Sequence, residues 1–125
     1  MARSLLEVSR TDIGKDDTML AATLELTDVD FKEKTARGVS LIDFWAPWCG
    51  PCRMQGPVVD RIAAYYGDRA TVAKVNVDDS PMVAHAFGVS SIPTIIILKD
   101  GLEVARAVGV QPEANLRAAL DSALS

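Results

Sequence analysis

The sequence predicts an α/β fold, a central mixed sheet of five strands with four helices covering both of its faces. Three observations carry that prediction. Strand-like and helix-like patterns alternate from residue 22 onward, which implies parallel pairing with helices as crossovers. The central strand segments are apolar nearly throughout, the pattern of a sheet covered on both faces. Asp100-Gly101 marks a two-residue hairpin turn, adding an antiparallel pair near the C-terminus.

Each element follows in order. Thr23-Leu24-Glu25-Leu26 alternates like a half-buried strand. Thr27 reads as a helix N-cap, with Asp28 and Asp30 in the first turn and Gly38 as the stop. Val39 to Trp45 is an apolar run broken by Ser40 and Asp43, the signature of a buried strand. After Cys49-Gly50-Pro51-Cys52, residues Val58, Val59, Ile62, Ala63 and Tyr66 recur at helical spacing up to Gly67, and Pro57 is expected to kink that helix. Thr71 to Val77 is a strand. Ser80-Pro81 opens a short helix that Gly88 closes. Thr94 to Lys99 and Leu102 to Val108 form the hairpin. Pro112 opens a last helix with an apolar stripe of Leu116, Ala119, Leu120, Ala123 and Leu124. The expected domain spans residues 22–125. Residues 1–21 mix charge, Ser and Thr, and read as an extension, in part disordered.

A length of 125 residues, 49% hydrophobic and 24% charged, fits one soluble domain with an adequate core. The net charge of −4 and the lack of any Lys/Arg run argue against a nucleic-acid partner. No stretch is apolar for the roughly 20 residues a membrane span requires. Asp12, Asp16 and Asp17 interrupt the N-terminal segment, which does not read as a secretory signal, so the expected location is cytoplasmic, with the protein a monomer. Thiols there are kept reduced, which makes a close Cys pair catalytic or metal-binding rather than structural.

The pair is Cys49 and Cys52. Two residues apart, they can close a small disulfide ring. At a helix start, unpaired backbone N–H groups and the helix dipole favour a thiolate at the first cysteine. The thiolate is the form that attacks disulfides. Cys49 is therefore expected to be the exposed nucleophile, and Cys52, one turn into the helix, the more shielded resolving thiol. Pro51 suits the first turn, where its missing N–H is not needed, and stiffens the ring. A structural disulfide across so short a loop would restrict the unfolded chain little. A closed zinc site takes four ligands, and the chain offers two Cys and the single His85, which reads as an ordinary side chain, so no metal is expected.

Asp43 and Lys74 each interrupt an apolar strand segment. If those strands are neighbours, the two form a partly buried pair behind the cysteines. Asp43 would then accept the proton of Cys52, directly or through water, with its pKa raised by burial and lowered by Lys74. The alternative is that one of them points to solvent at a strand end.

Asp43-Phe44-Trp45-Ala46-Pro47-Trp48-Cys49-Gly50-Pro51-Cys52, Pro57, Ala73-Lys74-Val75-Asn76-Val77-Asp78, Ile92-Pro93-Thr94, Asp100-Gly101 and Gly109 together resemble the thioredoxin family, over roughly Ala22 to the C-terminus. The resemblance implies the thioredoxin fold and a cis Pro93 lying against the cysteines. It implies that the backbone of Ile92 pairs with an extended substrate segment, and that Trp48, Gly50, Pro51, Ile92, Pro93 and Gly109 form the docking surface. It further implies a general protein-disulfide reductase with no bound cofactor, cycling between dithiol and disulfide. Its partners would be disulfide-containing client proteins and an NADPH-dependent flavoprotein thioredoxin reductase. Arg53 stands where Lys is common in the family, and the extension lacks the cysteines of zinc-binding relatives. The competing expectation is a thiol-independent binding module or subunit of a larger complex.

Overall fold

A computed structural model describes residues 23–125. The expected extension, residues 1–21, lies outside the described residues. The strands are β1 (Leu24–Leu26), β2 (Val39–Trp45), β3 (Thr71–Asn76), β4 (Thr94–Lys99) and β5 (Leu102–Val108). The helices are α1 (Phe31–Lys34), α2 (Gly50–Tyr66), α3 (Pro81–Ala86) and α4 (Glu113–Leu124). A 3-10 turn, Gly67–Arg69, joins α2 to β3.

The sheet order is β1-β3-β2-β4-β5. β3 pairs parallel with β1 and β2, while β4 pairs antiparallel with β2 and β5. The antiparallel half of the sheet thus begins at β2–β4, one strand earlier than the hairpin alone required. Asp100 and Gly101 turn that hairpin with φ of 52° and 83°, the left-handed pair that matches strand twist.

β2 lies at the centre, and its pleat feeds two cores. Val39 and Leu41 face Val59, Ile62 and Tyr66 of α2 and Leu116 and Leu120 of α4. Ile42 and Phe44 face the other way, toward Phe31, Val83, Ala84 and Phe87. This double burial explains why β2 could be read as one apolar run.

Two helix starts differ from the sequence expectation. α1 begins at Phe31, not after Thr27. Thr27 and Asp30 instead bond each other's turn, with Thr27 N–H donating to Asp30 Oδ1 at 2.8 Å and Val29 N–H to Thr27 Oγ1 at 3.2 Å. These local bonds compete with a longer helix. Ser80 precedes α3 but makes no capping bond. Asp28 accepts from Met82 N–H at 3.2 Å and Val83 N–H at 2.8 Å. The cap arrives from the β1–α1 turn.

Leu120 is fully buried and Leu102 on edge strand β5 is 73% exposed. Leu120→Ala is expected to lower stability by about 2–5 kcal/mol, because it leaves a cavity between α4 and the sheet. Leu102→Ala should stay within about 0.5 kcal/mol of the parent. Urea unfolding midpoints compare the two.

Candidate functional site

The site is built at the end of β2. Trp45 ends the strand, a turn through Pro47 and Trp48 follows, and Cys49 takes the N-cap position of α2. Arg53 braces this turn by donating from Nη2 to the Pro47 carbonyl at 3.1 Å. Cys49 and Cys52 are joined as a disulfide, with Cα atoms 5.3 Å apart. The Cys52 N–H donates to Cys49 Sγ at 3.2 Å, so the sulfur occupies the place an N-cap oxygen takes on other helices. Pro51, at the second helical position, brings no N–H and leaves that donor uncontested.

One expectation is corrected. Cys49 is not the more exposed cysteine, since both cysteines are 4% exposed. In the disulfide each sulfur covers the other, and Ala46, Trp45, Val77 and Ile92 pack round them. What distinguishes Cys49 is the N–H aimed at its sulfur.

Ile92–Pro93 is a cis peptide bond. The Ile92 carbonyl oxygen lies 3.8 Å from Cys49 Sγ, a contact and not a hydrogen bond while that sulfur is in the disulfide. Pro93 is buried, and its carbonyl accepts from Gly109 N–H at 2.8 Å. Gly109 has φ of +91°, a conformation that side-chain-bearing residues rarely adopt. Gly50 and Pro51 are exposed beside the disulfide. Trp48 is 67% exposed, held by a bond from Nε1 to Asp78 Oδ2 at 2.9 Å. Trp48, Val77, Val89, Ser90, Ser91 and Ile92 line an open groove of about 360 Å³. The structure therefore brings Trp48, Gly50, Pro51, Ile92, Pro93 and Gly109 round the cysteines, from three separate stretches of chain.

Asp43 and Lys74 are register partners on parallel neighbours β2 and β3. Asp43 is 2% exposed and shares the α2-facing side of β2 with Val39 and Leu41, while Lys74 is half-buried. The pair is not in contact: Lys74 Nζ lies 4.9 Å from the Trp45 ring centroid, and among the described residues no ion pair within 4.0 Å joins it to Asp43. Asp43 Oδ1 has no hydrogen-bond partner among the described residues. Burial pushes its carboxyl up from 3.8 to about 7, Lys74 pulling down and Asp60 adding a further upward push. Desolvation outweighs the attraction of Lys74, whose ammonium stands over the Trp45 ring and makes no ion pair with the carboxylate.

His85 is exposed on α3, and among the described residues no cluster of three His, Cys, Asp or Glu could hold a metal. No helix of the described residues is long and apolar enough to cross a membrane. Sequence reasoning passed over three residues. Asp78 holds Trp48 from just past the end of β3, and the signal was its place in Ala73-Lys74-Val75-Asn76-Val77-Asp78. Asp60, held by Thr23 Oγ1 at 2.7 Å, acts on Asp43 from α2. Gln55 is fully buried on α2, and the signal was a polar residue one turn past Cys52 within an apolar stripe.

The family model "Thioredoxin" matches residues 22–122. A thioredoxin of Staphylococcus aureus is 48% identical over 103 residues, covering 82% of this chain and 99% of its own. Among solved structures, a mutant thioredoxin from Halobacterium salinarum superposes with a TM-score of 0.78 at 35% identity, covering 85% of this chain and 94% of that one. The thioredoxin of Malassezia sympodialis gives a TM-score of 0.75 at 33% identity, covering 84% and 93%.

The raised carboxyl of Asp43 predicts a pH dependence. Between pH 3.8 and about 7 the folded chain holds a proton that the unfolded chain has lost. Stability is therefore highest below that window, falls as pH rises through it and levels off above it. A shift of roughly three units corresponds to on the order of 4 kcal/mol. Asp43→Asn should remove this slope. In urea unfolding of the disulfide form, the variant is expected to gain a few kcal/mol over the parent at pH 8 and distinctly less at pH 5. A difference that does not change with pH would contradict the assignment.

Proposed function

The chain belongs to the thioredoxin family and is a thiol-disulfide oxidoreductase, and from that premise we propose that it is a general protein-disulfide reductase with Cys49 as nucleophile and Cys52 as resolving thiol. The observation that carries this reading is the Cys52 N–H directed at Cys49 Sγ at the start of α2. That donor and the helix dipole stabilise negative charge on Cys49, so after reduction Cys49 is the thiol that ionises first.

In the forward direction the Cys49 thiolate attacks one sulfur of a client disulfide. The client S–S bond breaks, a mixed disulfide forms, and the departing client thiolate takes a proton from solvent. Asp43, as carboxylate, accepts the Cys52 proton, directly or through water. The Cys52 thiolate then attacks Cys49 Sγ, and the second client sulfur leaves as the Cys49–Cys52 disulfide forms. Two electrons have passed to the client. A carboxyl poised near 7 suits the proton-accepting role, because both of its forms are populated at neutral pH. Lys74 tunes that carboxyl without touching it.

Trp48, Gly50, Pro51, Ile92, Pro93 and Gly109 receive the client. Its segment lies extended along Ile92, whose backbone borders Cys49, in the manner of an added strand. The groove beside Trp48 takes an apolar neighbour of the client cysteine. The disulfide is returned to the dithiol by an NADPH-dependent flavoprotein thioredoxin reductase in the cytoplasm, and the chain itself binds no cofactor.

Three variants separate the roles in turnover of a disulfide-bonded protein. Cys49→Ser should fall to the uncatalysed background. Cys52→Ser should attack once and accumulate mixed disulfides through Cys49, visible as client adducts on a non-reducing gel. Asp43→Asn should form the mixed disulfide normally and release the client about 10²-fold more slowly near pH 7, as expected for loss of a positioned base. Full turnover by Cys49→Ser would overturn the assignment.

A further inference from the structure

Gln55 interrupts the apolar stripe by which α2 packs on the sheet, one turn beyond Cys52, and none of it is exposed. A buried carboxamide is unfavourable unless both ends are bonded. Here both ends meet one residue. Gln55 Nε2 donates to the Gln111 carbonyl at 3.1 Å, and Gln55 Oε1 accepts from the Gln111 N–H at 2.7 Å, across 56 positions of sequence. The side chain thus closes on Gln111 as a neighbouring strand would. Two residues earlier, Gly109 N–H donates to the Pro93 carbonyl. A chain of bonds therefore runs from the redox helix through Gln111 and Gly109 to Pro93, and ends beside Ile92.

A methionine would fill the same space with no amide to satisfy, so volume does not explain glutamine here. The Gln111 backbone is what requires it. Without the carboxamide, one N–H and one C=O of the β5–α4 connection would face apolar side chains, or the connection would lift toward water. We propose that Gln55 is a positioning residue for client recognition, clamping the Gly109–Gln111 loop to the redox helix so that the loop and Ile92 stand at a fixed spacing across the disulfide. The inference rests on the docking surface proposed above. It assigns Gln55 no part in the thiol chemistry, because its bonds lead away from the sulfurs.

The clamp predicts a division between substrates by size. Insulin, a protein disulfide, must lie on the face that the loop borders. A bis-nitrobenzoate disulfide needs only the sulfurs. With dithiothreitol as reductant, Gln55→Met is expected to raise KM for insulin about five- to tenfold, the weight of one to two lost hydrogen bonds, with kcat unchanged within about twofold. Reduction of the small disulfide should be unchanged. Gln111→Pro, which removes the clamped N–H together with the long side-chain bonds from Gln111 to the Val108 and Gly109 carbonyls, should show the same split and serves if Gln55→Met does not fold. Trp48→Ala tests the docking surface itself. If Trp48→Ala raises the insulin KM and neither clamp variant does, the clamp inference fails alone. If none of the three raises it, the docking reading fails with it. A parallel loss with the small disulfide would place Gln55 in the redox step and overturn the proposal.

Discussion

The contact on which the site depends is the Cys52 N–H that points at Cys49 Sγ. A helix start must place its free N–H groups against something. In this chain the acceptor is a sulfur, so a requirement of helix formation and a requirement of thiolate chemistry are met by one bond. Pro51 sharpens the arrangement by contributing no competing donor. The position of the pair then follows from β2. The strand is buried on both faces, cannot wander, and delivers Trp45 and the turn after it to a defined point at the sheet's end. The exposure of the two cysteines in the disulfide does not rank them, and what separates them is the direction of a backbone N–H.

The same buried strand creates the unusual carboxyl. A side chain at position 43 must face α2, because Val39 and Leu41 do and the pleat has a period of two. An aspartate there pays a desolvation penalty that no contact relieves. Lys74 stands beside it in register but rests on the Trp45 ring, so its attraction acts over a distance. Direct pairing would have drawn the carboxyl down toward the ordinary range and left it ionised at every physiological pH. The separation between Asp43 and Lys74 is thus what keeps the carboxyl titrating near neutrality. Asp60 on the exposed side of α2 strengthens the effect.

Much of this was legible from the residues. The five strands, the two long helices and the Asp100-Gly101 turn announced themselves through local periodicity and turn chemistry, and the Cys pair through its spacing. What stayed hidden depends on distance in sequence. Asp28 caps α3 from more than 50 positions away, so Ser80 looked like the cap. Thr27 looked like the helix cap and Asp30 like a first-turn acid, yet their mutual bonds hold a turn and delay α1 to Phe31. The cis bond at Pro93 came from the family resemblance, since composition favours trans. The burial of Cys49 came from Ile92 and Val77, which belong to other segments.

That contrast has a physical reason in the site itself. The sulfur pair and the N–H aimed at Cys49 lie within one turn of one helix, so four consecutive residues specify them. The face proposed for docking is assembled from the turn before α2, the loop before β4 and the connection before α4. Those pieces are joined by single backbone bonds, as from Gly109 to Pro93, and by the Gln55 carboxamide. A surface held in that way can change its spacing through a residue such as Gln55 that touches neither sulfur nor solvent. Chemistry held within one helical turn cannot change so easily without losing the N–H that stabilises the thiolate. The sulfur pair is therefore set by local sequence, whereas the face proposed for docking is held from the interior.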